Sequence, residues 1–322
     1  MQNTDSSRFC STDWIRRVRL LGQEVDVKGY ICAPEGGVYR PKPENVQLQL
    51  SILPTRYCDA ACSFCIAKPT SDRALIDLDA LQKSLTRLKA EGCVRGISIT
   101  GGEPTTYFET LQDIISMIFS LFGYEMEITL DTNGTNALRL CQLPSLEMID
   151  AIHISRHHWD VAVNQRIFGR EMPSAALLKE AIAACPSIFV LNCMLLKGFV
   201  ETPDDAHRYL DFAIELGAPK VSFITAAPVN EYARTHSVEF DKVLREDDER
   251  LLFTRGYRDR TYCRCRDGVY ANDHGQLIEF YGRQTNSNLP CPYLRGLVIE
   301  PDGAVYAGFG GKKLYDPGKD KG

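Results

Sequence analysis

The run RYCDAACSFC, from Arg56 to Cys65, sets three cysteines, Cys58, Cys62 and Cys65, into one short loop behind the apolar stretch Val46 to Leu53. Thiols at this spacing let a single loop hold three irons of a [4Fe-4S] cluster and leave the fourth iron without a protein ligand. An open iron is a place where a small molecule can chelate and receive an electron, which a closed four-cysteine carrier does not offer. The alternative is a structural zinc loop. Zinc sites draw a fourth ligand from a paired arrangement, and no nearby cysteine or histidine supplies one.

A second motif follows one strand later. Gly101, Gly102, Glu103 and Pro104 close the apolar run Ile97 to Thr100. Two residues without Cβ atoms let the backbone approach a ligand and present polar groups to it, Glu103 can end the turn, and Pro104 stiffens the exit.

Cysteine loop and glycine turn together resemble the radical SAM superfamily. The resemblance implies a partial (β/α)6 barrel, a cluster whose open iron is chelated by S-adenosylmethionine, and reductive cleavage to a 5'-deoxyadenosyl radical that abstracts hydrogen from a substrate. It implies that Gly101 and Gly102 meet the methionyl amino group, with Glu103 a second contact, and that Phe64 lies beside the adenine.

Length and composition agree with an α/β chain of one large domain with an appendage, or of two domains. The 322 residues carry a formal net charge of −5, with 44% hydrophobic and 25% charged residues, close to soluble averages. No basic tract points to a large nucleic acid, and no apolar run is long enough for a membrane span or a signal peptide. The expectation is a cytoplasmic protein, whose twelve cysteines serve metal ligation or simple burial rather than a disulfide framework.

From about residue 46 to 228, β-branched runs alternate with helical patterns, as in repeated βα units. Strands are expected at Val46 to Leu53, Gly96 to Thr100, Met126 to Asp131, Ala151 to Ser155, Ser187 to Leu196 and Lys220 to Thr225. Helices are expected at Ile76 to Glu91, Ala175 to Ala184 and Pro203 to Leu216. Reactive groups should gather at the carboxyl ends of the strands. The chain divides into an N-terminal extension (1–45), the barrel (46–230) and a C-terminal appendage (231–322) over the barrel mouth.

Three further segments sit where loops should leave the strands. Asp131, Thr132, Asn133 and Gly134 read as a plain strand-to-helix turn or as cofactor contacts through Thr132 and Asn133. SRHHWDVAVNQRIFG, from Ser155, and LNCMLLKG, with Asn192 and Gly198, are similar to the molybdenum-cofactor GTP cyclase-like branch of the family. That resemblance implies Ser155 and Arg166 as ribose and carboxylate contacts and adds Asn192 to the cofactor site. His157 and His158 stand outside the branch pattern. They either line a substrate pocket, as candidate catalytic groups, or serve a loop or capping role.

Near the end, YCRCRDG and CPYLRGLVIEPDGAVYAG resemble twitch and SPASM appendages, which hold auxiliary clusters. Cys263, Cys265 and Cys291 then belong to a second iron–sulfur cluster, to a degenerate appendage keeping only the fold, or to a zinc site with a further ligand such as His274. The remaining six cysteines read as small buried hydrophobes. The resulting expectation is an oxidoreductase or lyase served by an external one-electron reductant of flavodoxin or ferredoxin type. Its substrate is a small molecule or nucleotide, or alternatively a peptide. A cluster-bearing carrier or sensor without turnover is the competing class, and the glycine turn argues against it.

Overall fold

The computed structural model describes residues 15–28, 31–32, 38–39, 46, 48–185, 188–244, 248–256, 268–281, 294 and 296–319. The chain opens with the antiparallel hairpin β1 (Ile15–Leu20) and β2 (Gln23–Lys28), then the short pair β3 (Ile31–Cys32) and β4 (Val38–Tyr39). Strands and helices then alternate: β5 (Leu48–Ile52), α1 (Leu78–Glu91), β6 (Val94–Ile99), α2 (Phe108–Phe122), β7 (Glu127–Thr132) and α3 (Ala137–Leu140). The series continues with β8 (Ala151–Ser155), α4 (Val161–Phe168), α5 (Ala175–Ala184), β9 (Phe189–Leu195), α6 (Pro203–Leu216) and β10 (Lys220–Thr225). Short helices α7 (Glu231–His236) and α8 (Phe240–Val243) follow. Six further strands are β11 (Leu252–Gly256), β12 (Gly268–Ala271), β13 (Leu277–Tyr281), β14 (Gly296–Ile299), β15 (Val305–Tyr306) and β16 (Lys313–Tyr315).

Strands β5 to β10 pair in chain order and all in parallel, the six-unit sheet of a partial barrel that the alternating pattern anticipates. β8, β10, α5 and α6 have the expected limits, while β5 and β9 are shorter and β6 and β7 are shifted by one or two residues. Local signals explain the helix ends. Asp77 caps α1 by accepting from the Ala80 N–H at 3.0 Å, and Gly92 closes it at φ 63°. Thr202 and Asp205 form a capping box on α6 with Pro203 in its first turn, and Gly217 ends it at φ 75°.

The two faces of the sheet differ in chemistry. On β5, Leu48, Leu50 and Ile52 are buried in the main core with the α1 leucines Leu81, Leu85 and Leu88, while Gln49 and Ser51 between them are half-buried. β8 repeats this with Ile152 and Ile154 in the core and His153 and Ser155 half-buried. A parallel sheet covered on both faces reads as continuously apolar strands. Strict alternation here means that helices cover one face and the other lines a lumen. Towards β9 the lumen closes, for all seven residues of that strand are buried.

C-terminal strands extend both edges of the same sheet. β13 pairs in parallel with β10, β14 in parallel with β5, and the flanking strands complete a twelve-stranded order. The Leu53 N–H donates to the Ile299 carbonyl at 2.9 Å, and the buried Ser84 hydroxyl donates to the Gly303 carbonyl at 2.6 Å. The first hairpin joins in, with Gln23 Nε2 donating to the Leu314 carbonyl at 2.7 Å. Strands after residue 230 therefore continue the sheet built before them, and the first hairpin bonds to the C-terminal segment. No helix among the described residues is long and apolar enough to cross a membrane.

At Gly303, φ is +73° and an added Cβ would sit 2.4 Å from the Ala80 Cβ on α1. Gly303→Ala is expected to destabilise the protein by roughly 1–3 kcal/mol through overpacking and a strained backbone. Urea unfolding would read this as a lower midpoint at unchanged slope. An unchanged midpoint would mean that this turn does not bear on α1.

Candidate functional site

The cysteine loop leaves the carboxyl end of β5 and is fixed first by its own backbone. Thr55, wholly buried, donates its hydroxyl to the Ala74 carbonyl at 2.9 Å and accepts the Tyr57 N–H at 3.0 Å. The glycine turn after β6 then docks on it: the Gly102 N–H donates to the Thr55 carbonyl at 3.0 Å and the Glu103 N–H to the Tyr57 carbonyl at 2.8 Å. A Cβ on Gly102 would fall 1.8 Å from the Tyr57 oxygen, and one on Gly101, whose φ is +121°, 2.9 Å from Leu53 Cγ. The sequence reading had these glycines approach a ligand. Their close neighbour here is the backbone of the cysteine loop.

Glu103 is 1% exposed and its carboxylate is fully engaged inside the protein. Oε1 accepts from the Thr105 N–H at 3.1 Å, the Thr105 hydroxyl at 2.6 Å and the Thr132 hydroxyl at 2.7 Å, while Oε2 accepts from the Asn133 N–H at 2.7 Å. Burial pushes this carboxyl upward and the surrounding donors pull it back. Glu103 thereby ends its own turn and ties it to the Thr132–Asn133 turn after β7. Asn133 carries the chain onward, donating Nδ2 to Asp59 Oδ1 at 2.8 Å, and Asp59 pairs with Arg170 just past α4. The Ala61 N–H donates to the Phe168 carbonyl at 2.8 Å.

Held between these supports, Cys58, Cys62 and Cys65 are half-buried. Burial pushes the Cys58 thiol up to about 11 and the Cys62 thiol to about 12, and nearby negative charge adds to this, from Glu103 and Cys65 at Cys58 and from Cys65 and Cys58 at Cys62. Without iron the Cys58 and Cys62 thiols are therefore held protonated at physiological pH, so ligation displaces their protons. Among the described residues no three His, Cys, Asp or Glu side chains surround a single metal-ion position. A three-cysteine cluster loop does not require that, since each thiolate takes a different iron. Cys65 is hydrogen-bonded back to the Cys62 carbonyl at 3.2 Å, and the Ala60 N–H lies 3.4 Å from Cys58 Sγ, the kind of donor that steadies a cluster thiolate. This donor set fits the cluster.

Phe64 is buried beneath the loop, its ring edge-on to His157 at 5.2 Å, and His157 stacks on Phe168 at 5.0 Å. His157 Nδ1 lies 3.1 Å from the Met194 N–H, which it accepts, and 3.2 Å from the Asn192 carbonyl. His158 Nδ1 accepts the Asp160 N–H at 3.0 Å, its ring stacks on Trp159, and burial lowers its pKa. Both histidines are buried and shape the loop after β8. Ser155 ends β8 and pairs in register with the buried Asn192 of β9. Arg166 is exposed in the last turn of α4, and Gly198 sits in a turn at φ +80°.

Sequence reasoning passed over Arg156. It is 1% exposed with no carboxylate partner among the described residues, and donates instead to the carbonyls of His158 at 3.1 Å, Pro173 at 2.9 Å and Trp159 at 3.3 Å. Burial lowers its pKa. Also passed over was a polar set on the lumen face, where Asp131 accepts the Ser98 hydroxyl at 2.6 Å and lies 3.2 Å from His153 Nδ1. For the lumen set the signal was present, as polar residues at alternate strand positions. Cys263, Cys265 and Cys291 lie outside the described residues, and His274 is exposed in the turn before β13. Of the six remaining cysteines, Cys93 and Cys193 are buried as expected, whereas Cys141 and Cys185 are half-buried.

A family model described as the radical SAM superfamily matches residues 52–223. A protein named probable GTP 3',8-cyclase from Sulfurisphaera tokodaii is 25% identical over 223 residues, 66% of this chain and 69% of that protein. A GTP 3',8-cyclase from Paracoccus denitrificans is 27% identical over 210 residues, covering 63% of this chain and 59% of that one. Among solved structures, Streptococcus suis SuiB bound to S-adenosylmethionine superposes with a TM-score of 0.57 at 18% identity, over 86% of this chain and 65% of SuiB. SuiB bound to its precursor peptide SuiA gives a TM-score of 0.56 over 86% and 64% of the two chains at 18% identity. The SuiB likeness is one of fold.

Gly102→Ala is expected to separate the two loops and abolish stable iron loading, read as iron and sulfide per chain after anaerobic reconstitution of folded protein. Glu103→Gln, which turns an acceptor into a donor facing donors, is expected to cost about 1–3 kcal/mol of stability. Full iron loading in the alanine variant would remove the loop contact from the account of the site.

Proposed function

The chain belongs to the radical SAM superfamily, an enzyme family whose cofactors are a [4Fe-4S] cluster and S-adenosylmethionine, and from that membership we propose that it abstracts hydrogen from a small-molecule or nucleotide-like substrate. When bound, these cofactors supply reductive cleavage of the sulfonium to a 5'-deoxyadenosyl radical. The observation that carries the reading is the cysteine loop docked on the glycine turn, three thiols held at the carboxyl end of the first barrel strand by backbone bonds to the second.

Cys58, Cys62 and Cys65 are the proposed iron ligands. Of the two roles open to Glu103, ending the turn is the one its hydrogen bonds support, and Thr132 and Asn133 serve with it to fix the shelf formed by Gly101 and Gly102. Phe64 offers an apolar surface for the adenine. Ser155 and Asn192, adjacent across two strands, offer polar contacts for the nucleoside, and Arg166 is the proposed carboxylate partner. His157 and His158 act as positioning residues, since their rings brace Phe64 and the loop after β8. Cys263, Cys265 and Cys291 are carried forward as proposed ligands of a second cluster. An external flavodoxin- or ferredoxin-type protein would deliver the electron.

The relatives named GTP 3',8-cyclase support a nucleotide-like substrate over a peptide, because the SuiB likeness reaches no further than fold. Anaerobically reconstituted protein supplied with dithionite and S-adenosylmethionine is expected to form 5'-deoxyadenosine, measured by chromatography, and Cys58→Ala to form none. Absence of the product from loaded wild-type protein would return the chain to the carrier or sensor class. In the variant lacking Cys58, Cys62 and Cys65 together, residual iron would report a second cluster.

A further inference from the structure

Two polar groups in the covered end of the lumen lack a hydrogen-bond partner among the described residues. Ser222 on β10 is 1% exposed and Glu279 on β13 is 8% exposed, and among the described residues neither Ser222 Oγ nor Glu279 Oε2 has a hydrogen-bond partner. They are register partners across the parallel pair β10–β13. Glu279 Oε1 is taken by Lys220 Nζ at 2.7 Å, which neutralises the carboxylate and leaves Oε2 as an acceptor without a donor. Buried polar groups in folded proteins are nearly always satisfied, and leaving one unmade costs more than a typical bond contributes. Ser222 and Glu279 thus form a facing pair of unmade bonds across β10 and β13.

Their placement is set by strand periodicity. Val221 and Phe223 belong to the main core under the helices, so Lys220, Ser222 and Ile224 face the opposite side of β10. Ile224 packs with Phe64, Met194 and Phe168 in the cluster that Cys58 and Cys62 border. Ser222 is therefore on the same face as the cysteine loop, about 7 Å deeper along the strand. Laterally, Ser155 pairs with Asn192, Asn192 with Ser222 and Ser222 with Glu279, one row across four strands.

We propose that Ser222 and Glu279 bind an uncharged substrate edge that presents a hydrogen-bond donor beside an acceptor, such as the lactam edge of a nucleobase. The donor N–H meets Glu279 Oε2, and the neighbouring carbonyl accepts from the Ser222 hydroxyl. A carboxylate is excluded, because Oε2 can only accept from its ligand and a carboxylate brings no proton. The row puts the bound edge next to Asn192, so substrate and nucleoside cofactor would share one wall. This deepens the proposed function and rests on its nucleotide-like reading.

The test compares inosine with 1-methylinosine, in which a methyl group replaces the N1–H donor, by equilibrium dialysis against reconstituted protein with saturating S-adenosylmethionine, so that the cofactor's nucleoside site is filled. Inosine is expected to bind at least about tenfold more tightly. In Glu279→Gln, Lys220 retains the side-chain oxygen and the amide NH2 faces the ligand, so the preference should vanish. Ser222→Ala should weaken inosine while keeping the thermal midpoint, since it removes a hydroxyl that bonds to nothing. Equal binding of the two nucleosides, binding of neither, or an unchanged preference in folded Glu279→Gln overturns the proposal. Formation of 5'-deoxyadenosine by wild-type protein in the same preparation is scored separately: its absence defeats the cleavage reading and leaves the binding result standing.

Discussion

Everything at the mouth of this barrel depends on two backbones meeting with no side chain between them. Where Gly102 touches Tyr57, a single methyl carbon would overlap a carbonyl oxygen at 1.8 Å. The glycine removes that obstacle, and two N–H groups of the second turn then bond to carbonyls of the first loop. Each such bond is worth only about 0.5–1.5 kcal/mol net. What the pair contributes is position: a loop that must hold three separate sulfurs takes its shape from a strand end it does not belong to.

That loop is held from further sides as well. Glu103 links the glycine turn to the turn after β7, Asn133 reaches from there to Asp59 inside the cysteine loop, and Arg170 pairs with Asp59 from beyond α4. Below it, Phe64, His157 and Phe168 form an aromatic stack whose histidine is fixed by the backbone of β9. Supports from four βα units converge on one short segment. Such convergence is how a fold keeps ligand positions within the small tolerance that coordination demands.

Much of this could be read from residue order, and the boundary follows physical lines. Period-2 alternation in β5 and β8 and leucine spacing in α1 report burial directly, so strands, helices and their parallel order were legible, as was the cysteine triplet. The helical pattern also gave α6 its correct ends, which the structure shows capped by Thr202, Asp205 and Gly217. The glycine turn was recognised by its spacing, but its reason was not, because which surface a glycine spares depends on a partner 45 residues away. Arg156 was missed for a similar cause: a buried guanidinium satisfied by three carbonyls has no partner residue type that a sequence could display. The joining of β13 and β14 to opposite edges of the sheet is a long-range pairing that local patterns do not encode.

The uneven cover of the lumen bears on what chemistry the barrel can contain. Near β5 to β8 the inner face is polar and half-buried, with Gln49, Ser51, Ser98, Asp131 and His153 reaching towards solvent, whereas along β9 and β10 both faces are covered. A reactive carbon radical takes hydrogen from whatever donor is nearest, so the reacting bond belongs where water is excluded. The open side is suited to admitting a polar molecule, and the covered side to holding the part of it that reacts. Asn192, paired in register with half-buried Ser155 on one side and buried Ser222 on the other, lies where the two sides join.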